Sequence, residues 1–321
     1  RGSRSLPGVG PQALAVAPGE RTYEELLASV DNGILVQSMS GLHSGVNTTS
    51  GDFSVGAEGL MIRNGALAEP VREVTIDCAE VNHAQIELHA ALAEYDPFTD
   101  RLTMQSVSQV TYYLHLMLSR CLAMEQSQIR IIKPFVGGGF GARVQPLNFE
   151  IVTALLARAA QGKVLMELTR EETFITHRAR PQTLMRIKLG MTKDGRMTAC
   201  EAEVTQRGGA YSGYGIITIL YAGALLHGIY DIPAIKYDGY RAYANLPPCG
   251  AMRGHGAVTV RHAFEVLLDR MARELGLDPF EARRKNLLHA PMRTANDLMV
   301  NSYGLAECLD AIEKASGWRE R

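Results

Sequence analysis

Paired cysteines, long apolar runs and an excess of charge are all missing from this sequence, and each absence argues against a class of protein. The five cysteines, Cys78, Cys121, Cys200, Cys249 and Cys308, are far apart and odd in number, with no CxxC or CxxH among them. That pattern argues against an iron–sulfur cluster or structural zinc built from these residues. Scattered thiols also fit a reducing cytoplasm better than a disulfide-stapled secreted chain, so a cytoplasmic location is expected. The net charge is -1, which makes nucleic acid and anionic membrane poor partners by bulk electrostatics. No apolar run approaches the roughly 18 residues of a membrane-spanning helix. The start, Arg1 to Pro7, has neither an initiator Met nor the apolar core of a signal peptide, so the expectation is a soluble chain truncated at its N-terminus.

What is present is enough chain, at 321 residues, for one large domain or two. Ala13 to Ala17 reads as a short strand closed by Pro18-Gly19. Thr22 is placed to cap a helix through Val30, with Glu25 as its capping-box partner. Asn32-Gly33 ends that helix and Ile34 to Val36 begin a strand. After a glycine- and serine-rich stretch, Gly59 to Arg63, the turn Asn64-Gly65, and Ala66 to Ile76 read as a hairpin. Within these residues Gly8-Val-Gly10, Val30-Asp-Asn-Gly33, Gly45-Val-Asn47, Gly51-Asp-Phe-Ser54, Ile62-Arg-Asn-Gly65 and Pro70 to Ile76 carry a resemblance. They are similar to the C-terminal region of the TldD/PmbA family of metalloprotease-related proteins. The HExxxH helix that supplies metal ligands in that family's active members is absent, and His43 is the only histidine before residue 77. The resemblance therefore implies a β-rich fragment, residues 1–76, without proteolytic activity.

Residues 77–321 follow without a flexible linker. Ala90 to Tyr95 and Leu102 to Val107 read as strands, Val110 to Leu122 as a helix, and Ile129 to Val136 as a strand. Phe149 to Ala160 then reads as a helix and Val164 to Thr169 as a strand. This order predicts a mixed α/β domain, α+β in class when taken with the first segment. Met185 to Leu189 and Met197 to Val204 alternate as a hairpin, and Val258 to Leu275 is an amphipathic helix ended by Gly276. Asp278-Pro-Phe-Glu281 starts another helix, with Asp as N-cap and Pro at N1.

Three glycine loops interrupt these elements: Gly137-Gly-Gly-Phe-Gly141, Gly208-Gly-Ala-Tyr-Ser-Gly-Tyr-Gly215, and Pro247-Pro-Cys-Gly-Ala-Met-Arg-Gly-His-Gly256. The first lies between a strand and a helix, where backbone N–H groups can face an oxyanion or cofactor. Its spacing is not the dinucleotide fingerprint G-x-G-x-x-G, and taken alone it reads more simply as a ligand-free glycine turn. With Ser108-Gln109, Arg170-Glu-Glu172, Tyr230-Asp-Ile-Pro233 and Arg253-Gly-His-Gly256, however, the segment resembles the molybdenum-binding subunit of the xanthine dehydrogenase/aldehyde oxidase family. Within that family Ala79 to Gln85, Lys133 to Val136, Ala142-Arg143, Tyr211 to Gly215 and Leu220 to His227 are most similar to the large subunit of 4-hydroxybenzoyl-CoA reductases.

The resemblance implies the first molybdopterin-binding domain only. It would hold molybdopterin, or molybdopterin cytosine dinucleotide, with Mo, while iron–sulfur clusters and FAD sit on partner subunits. It places Gln109 beside an apical Mo oxygen, with Gly138, Gly139, Phe140 and Gly141 presenting backbone N–H groups, and Arg253 and Gly254 beside the cofactor. Tyr211, Tyr214, Tyr221 and His255 become substrate-pocket candidates, although each could equally pack a loop. Arg170-Glu-Glu172 reads more simply as a structural turn, and His227 and Cys249 need no function. The family's glutamate catalyst and its second Mo domain are not found here, and Leu88 stands where a proline is usual. The expectation is a fragment of a molybdenum-dependent oxidoreductase that is inactive alone and retains no cofactor. A TldD/PmbA-like protein, or a non-catalytic fusion joined near Thr75-Ile-Asp77, are the competing readings.

Overall fold

Two large sheets carry the architecture, with a small two-stranded pair at Met292–Arg293 and Met299–Val300 beside them. The computed structural model describes residues 21–40, 56–176, 178–294 and 296–320. The expected strand at 13–17 and the glycine- and serine-rich residues 41–55, His43 among them, lie outside these. The chain enters through α1 (Tyr23–Ala28), whose capping box forms as its sequence predicts: the Glu25 N–H donates to Thr22 Oγ1 (3.2 Å) and the Thr22 N–H donates to Glu25 Oε2 (2.8 Å). Strands β1 (Asn32–Ser40), β2 (Gly56–Arg63) and β3 (Ala66–Cys78) are antiparallel neighbours, and Asn64-Gly65 makes the β2–β3 turn at positive φ.

The first sheet does not stop there. β3 pairs antiparallel with β8 (Thr183–Met191), from Val71 opposite Gly190 to Cys78 opposite Thr183. β8 pairs with β9 (Met197–Gly209), and β9 runs parallel to β10 (Ala234–Tyr243), giving the order β1-β2-β3-β8-β9-β10. The expected change of segment at residues 76–77 thus falls inside one unbroken strand. Val74 and Ile76, before it, and Cys78, after it, pack against the same core.

A four-stranded sheet, β6-β5-β4-β7, forms the other body. It comprises β4 (Ala90–Asp96), β5 (Arg101–Ser106), β6 (Ile129–Ile132) and β7 (Lys163–Glu167). Helices α2 (Thr111–Leu122) and α3 (Asn148–Ala160) cover it. Leu102 and Met104 meet Leu114, Leu118 and Ala154 there. β6 is shorter than the sequence suggests, because Pro134 has no N–H to extend the ladder and residues 133–136 are exposed.

Two helices pack on the first sheet, and a third precedes β8. α4 (Arg170–Thr176) leads into β8, α5 (Ile216–Ala224) lies against β10, and α6 (Ala257–Glu274) lies across β3 and β8. α6 is helical because Val260, Ala263, Phe264, Leu267, Leu268 and Met271 recur at helical spacing and are all buried. α7 (Pro279–Arg284) starts as predicted, the Asp278 side chain accepting from the Phe280 and Glu281 N–H groups. α8 (Leu305–Ser316) follows it. Among the described residues no helix is long and apolar enough to cross a membrane, and all five cysteines are free thiols.

Phe264 has no exposed surface and stacks on Tyr230 with ring centroids 5.6 Å apart. Phe264→Ala is expected to cost about 3–5 kcal/mol, measured as a lower denaturant midpoint. A loss under about 1 kcal/mol, the range of surface substitutions, would contradict this packing.

Candidate functional site: a clamped glycine loop

The loop between β6 and α3 is held from below by one buried cation. Arg143 donates to the carbonyls of Glu87 (3.1 Å) and Leu88 (3.0 Å) and pairs with the Glu87 carboxylate. The same carboxylate accepts from the Gly137 N–H at 2.9 Å. Arg143 is 3% exposed, so its charge is compensated by two carbonyl dipoles and an anion rather than by water. The irregular segment 83–89 and the two ends of the glycine loop are thereby one unit. Sequence reasoning did not assign this Glu87–Arg143 pair. The partners are 56 residues apart, and no local pattern signals such a contact.

Gln109 pins the loop from the other side. Its N–H donates to the Arg143 carbonyl (2.8 Å), and its Oε1 accepts from the Gly141 N–H (2.9 Å) and the Arg143 N–H (3.3 Å). This differs from the expected arrangement, in which the Gly141 N–H faces a ligand oxygen: here it is used to hold the Gln109 side chain. Both acceptor directions of Oε1 are thereby occupied, and the Gln109 amide Nε2 has no hydrogen-bond partner among the described residues. Among the described residues, the N–H groups of Gly138, Gly139 and Phe140 donate to no protein group. Gly138, Phe140 and Gly141 all have positive φ, which turns successive N–H groups to form an anion-accepting concavity.

The third glycine loop closes against the first, and the second is tied to the third by the Cys249 N–H, which donates to the Gly208 carbonyl. The Arg253 N–H donates to the Phe140 carbonyl (2.9 Å), and the Arg253 carbonyl accepts from Arg180 Nη2 (2.7 Å). The Arg253 side chain is exposed, so its backbone makes the connection. Gly141 sits so close to this loop, at φ +102°, that a Cβ would lie 2.6 Å from the Ala251 carbonyl oxygen. His83 is buried with Nε2 3.0 Å from that same oxygen, and burial lowers its imidazole pKa below the ordinary value. Its neutral form is the one that fits.

Of the four pocket candidates, three come together. The His255 ring lies 5.6 Å from Tyr214 and 5.3 Å from Tyr221, measured between centroids. Gly254, at φ +96°, and Gly256 flank His255 and let the backbone turn there. Tyr211 is 72% exposed and makes no ring contact with this cluster among the described residues. Arg170-Glu-Glu172 is structural, but as the first turn of α4 rather than a loop turn: Glu172 Oε2 accepts from the Thr169 N–H at 2.7 Å, and Arg170 donates to the Gln85 and Ile86 carbonyls.

These residues fit a molybdopterin-type cofactor on geometric grounds. The loop offers backbone donors without a protein acceptor among the described residues, and Gly138 and Gly139 leave no room for a Cβ against Gln85, Phe140 and Gln109. Comparison with known proteins agrees. The family model for the molybdopterin cofactor-binding domain matches residues 49–287. That for the PmbA/TldA metallopeptidase C-terminal domain matches residues 1–81, so the two overlap on either side of residue 76. The chain is 34% identical over 248 residues to the nicotinate dehydrogenase large molybdopterin subunit of Eubacterium barkeri, covering 76% of this chain and 58% of that one. It is 28% identical over 314 residues to the xanthine dehydrogenase molybdenum-binding subunit of Escherichia coli O157:H7, covering 93% and 40%. Quinoline 2-oxidoreductase from Pseudomonas putida 86 superposes with a TM-score of 0.73 at 28% identity, over 78% of this chain and 33% of that one. This chain thus spans well under two thirds of the length of each.

Gly141→Ala is expected to destabilise by about 1–3 kcal/mol, from strained φ and collision with a backbone carbonyl. Gly276→Ala provides the comparison, because its φ is also positive but nothing lies within 4 Å of the added Cβ. Only the conformational cost of about 1 kcal/mol applies there. Equal losses for the two substitutions in denaturant unfolding would show that the loops are not in contact.

Proposed function

The chain belongs to the molybdopterin cofactor-binding domain family, of the xanthine dehydrogenase and aldehyde oxidase type, and from that premise we propose that it forms one wall of a molybdenum oxidoreductase active site. The observation that carries the reading is the Gln109–Gly141–Arg143 clamp beside a glycine loop in which the N–H groups of Gly138, Gly139 and Phe140 donate to no protein group among the described residues. When bound, the cofactor supplies two-electron redox chemistry at Mo. Gln109 Nε2 and the N–H groups of Gly138, Gly139 and Phe140 would hold its oxygen-rich face. The Arg253-Gly254 backbone would back the loop from behind, fixing donor positions before any ligand arrives.

The substrate reading is an aromatic or heterocyclic small molecule, stacked near Tyr214, Tyr221 and His255. The narrow sequence similarity favours reductive dehydroxylation of a 4-hydroxybenzoyl-CoA-like thioester over hydroxylation of a purine. Electrons would pass through iron–sulfur and flavin groups on partner subunits, since this chain has no cluster-type cysteines. Residues 1–76, although similar to the TldD/PmbA C-terminal region, would act here as a structural flank that completes the sheet beyond β8.

In the complete enzyme carrying this chain, Gln109→Ala is expected to lower turnover by about 10–100-fold, whereas Arg101→Gln on the exposed start of β5 leaves it unchanged. Assay against 4-hydroxybenzoyl-CoA, nicotinate and xanthine distinguishes the substrate readings. Unaltered turnover in the Gln109 variant would remove the assignment of its amide.

A further inference from the structure

A second cavity adjoins the aromatic cluster and is built for charge of one sign. Its volume is about 420 Å³, and its walls include Tyr113, Met117 and Arg120 of α2, Gln145, Arg178 and Tyr214. No Asp or Glu contributes to the wall. Arg178 is half-buried and forms no ion pair among the described residues. Its Nε, like Gln145 Oε1, is a buried polar atom without a hydrogen-bond partner there. Burial lowers the pKa of the Arg178 guanidinium below its ordinary value, with no neighbouring anion to oppose the shift. A guanidinium cannot shed its proton at neutral pH, so Arg178 carries its charge here without a carboxylate partner among the described residues.

The placement is fixed by the same loops that form the first site. The Gly250 N–H donates to the Ala179 carbonyl at 2.8 Å, which ties the residue after Arg178 to the third glycine loop. A Cβ on Gly213 would lie 3.0 Å from Gln145 Nε2, and one on Gly250 would lie 3.0 Å from Arg178 Cβ. Gln145 therefore spans the gap between the second and third loops, two residues beyond Arg143. Tyr214 belongs both to this cavity and to the ring cluster with His255. An elongated ligand can occupy the two regions at once.

We propose that this cavity is an oxyanion subsite, in which Arg178 and Arg120 bind a phosphate or carboxylate of the ligand whose aromatic part lies against Tyr214, Tyr221 and His255. Two guanidinium groups in a wall free of acids suit a planar or tetrahedral oxyanion, which accepts paired N–H donors. The orientation of the ligand rests on the aromatic-substrate reading above. The anion site itself does not, because it depends only on Arg178, Arg120 and Gln145. The substrate class becomes an acidic aromatic, with its anion either on the ring or on a phosphate-bearing carrier joined to it.

Isothermal titration of the 321-residue chain in low-salt zwitterionic buffer, with inorganic pyrophosphate, benzoate and coenzyme A as separate probes, tests this directly. Saturable one-site binding of at least one probe is expected, weakened at least tenfold in Arg178→Gln and several-fold in Arg120→Ala. It should be unchanged in Arg101→Gln, which lies at the exposed start of β5 and outside the cavity wall. Binding of pyrophosphate and coenzyme A but not benzoate assigns the anion to a carrier, and the reverse assigns it to the ring. Arg120 is exposed, so its variant decides the matter should Arg178→Gln fail to fold by circular dichroism. Absence of saturable binding for all three probes, or equal weakening in the Arg101 variant, would overturn the proposal. Anion binding in a chain whose glycine loop ignores molybdopterin would leave this subsite standing and remove the cofactor reading instead.

Discussion

The ionic contact between Arg143 and Glu87 is what the site depends on. A glycine-rich loop has the largest backbone entropy to lose on ordering, and without an anchor its N–H groups would point in many directions. Arg143 supplies the anchor by engaging two carbonyls and a carboxylate of residues 87 and 88, while that carboxylate also takes the Gly137 N–H. Both ends of the loop are then fixed to the segment that enters β4. Gln109, reached from the end of β5, uses its amide oxygen on Gly141 and Arg143, and its nitrogen has no hydrogen-bond partner among the described residues. A cofactor meeting this surface finds donors already oriented, which is where binding energy is saved.

The sequence revealed most where structure is local. The Thr22–Glu25 capping box, the Asn64-Gly65 hairpin, the Asp278 cap and the buried face of α6 all depend on residues within a few positions of one another. Their physics is written in adjacent letters. The pairing of β3 with β8 joins residues more than a hundred positions apart, and only the alternation of each strand was visible beforehand. A change of resemblance at residue 76 was legible, but that the backbone runs through it as one strand of a common sheet was not. Composition and motif report ancestry, whereas hydrogen-bond ladders report folding.

The site was legible to the same degree and for the same reason. Glycine spacing marked Gly138 to Gly141 and Gly254, and the positive φ of Gly138, Gly141 and Gly254 gives a backbone reason for glycine at those three positions. Tyr214, Tyr221 and His255 do meet, yet Tyr211, three residues from Tyr214 in the same motif, projects into solvent. The short helical turn at residues 213–215 separates their directions. Arg178 drew no attention as a sequence letter, because an arginine between strands is ordinarily a solvated surface charge. Only its burial without an acid makes it unusual.

The central claim is that the free N–H groups of Gly138, Gly139 and Phe140, held by the Gln109 and Arg143 clamp, form a molybdopterin-facing wall. Amide hydrogen exchange, followed by mass spectrometry with anaerobically extracted molybdopterin supplied in excess, addresses it most directly. Slowed exchange in the peptide spanning residues 135–144, diminished in Gln109→Ala and absent from the β8–β9 hairpin, is the predicted result. Unchanged exchange in residues 135–144 with cofactor present would contradict the account.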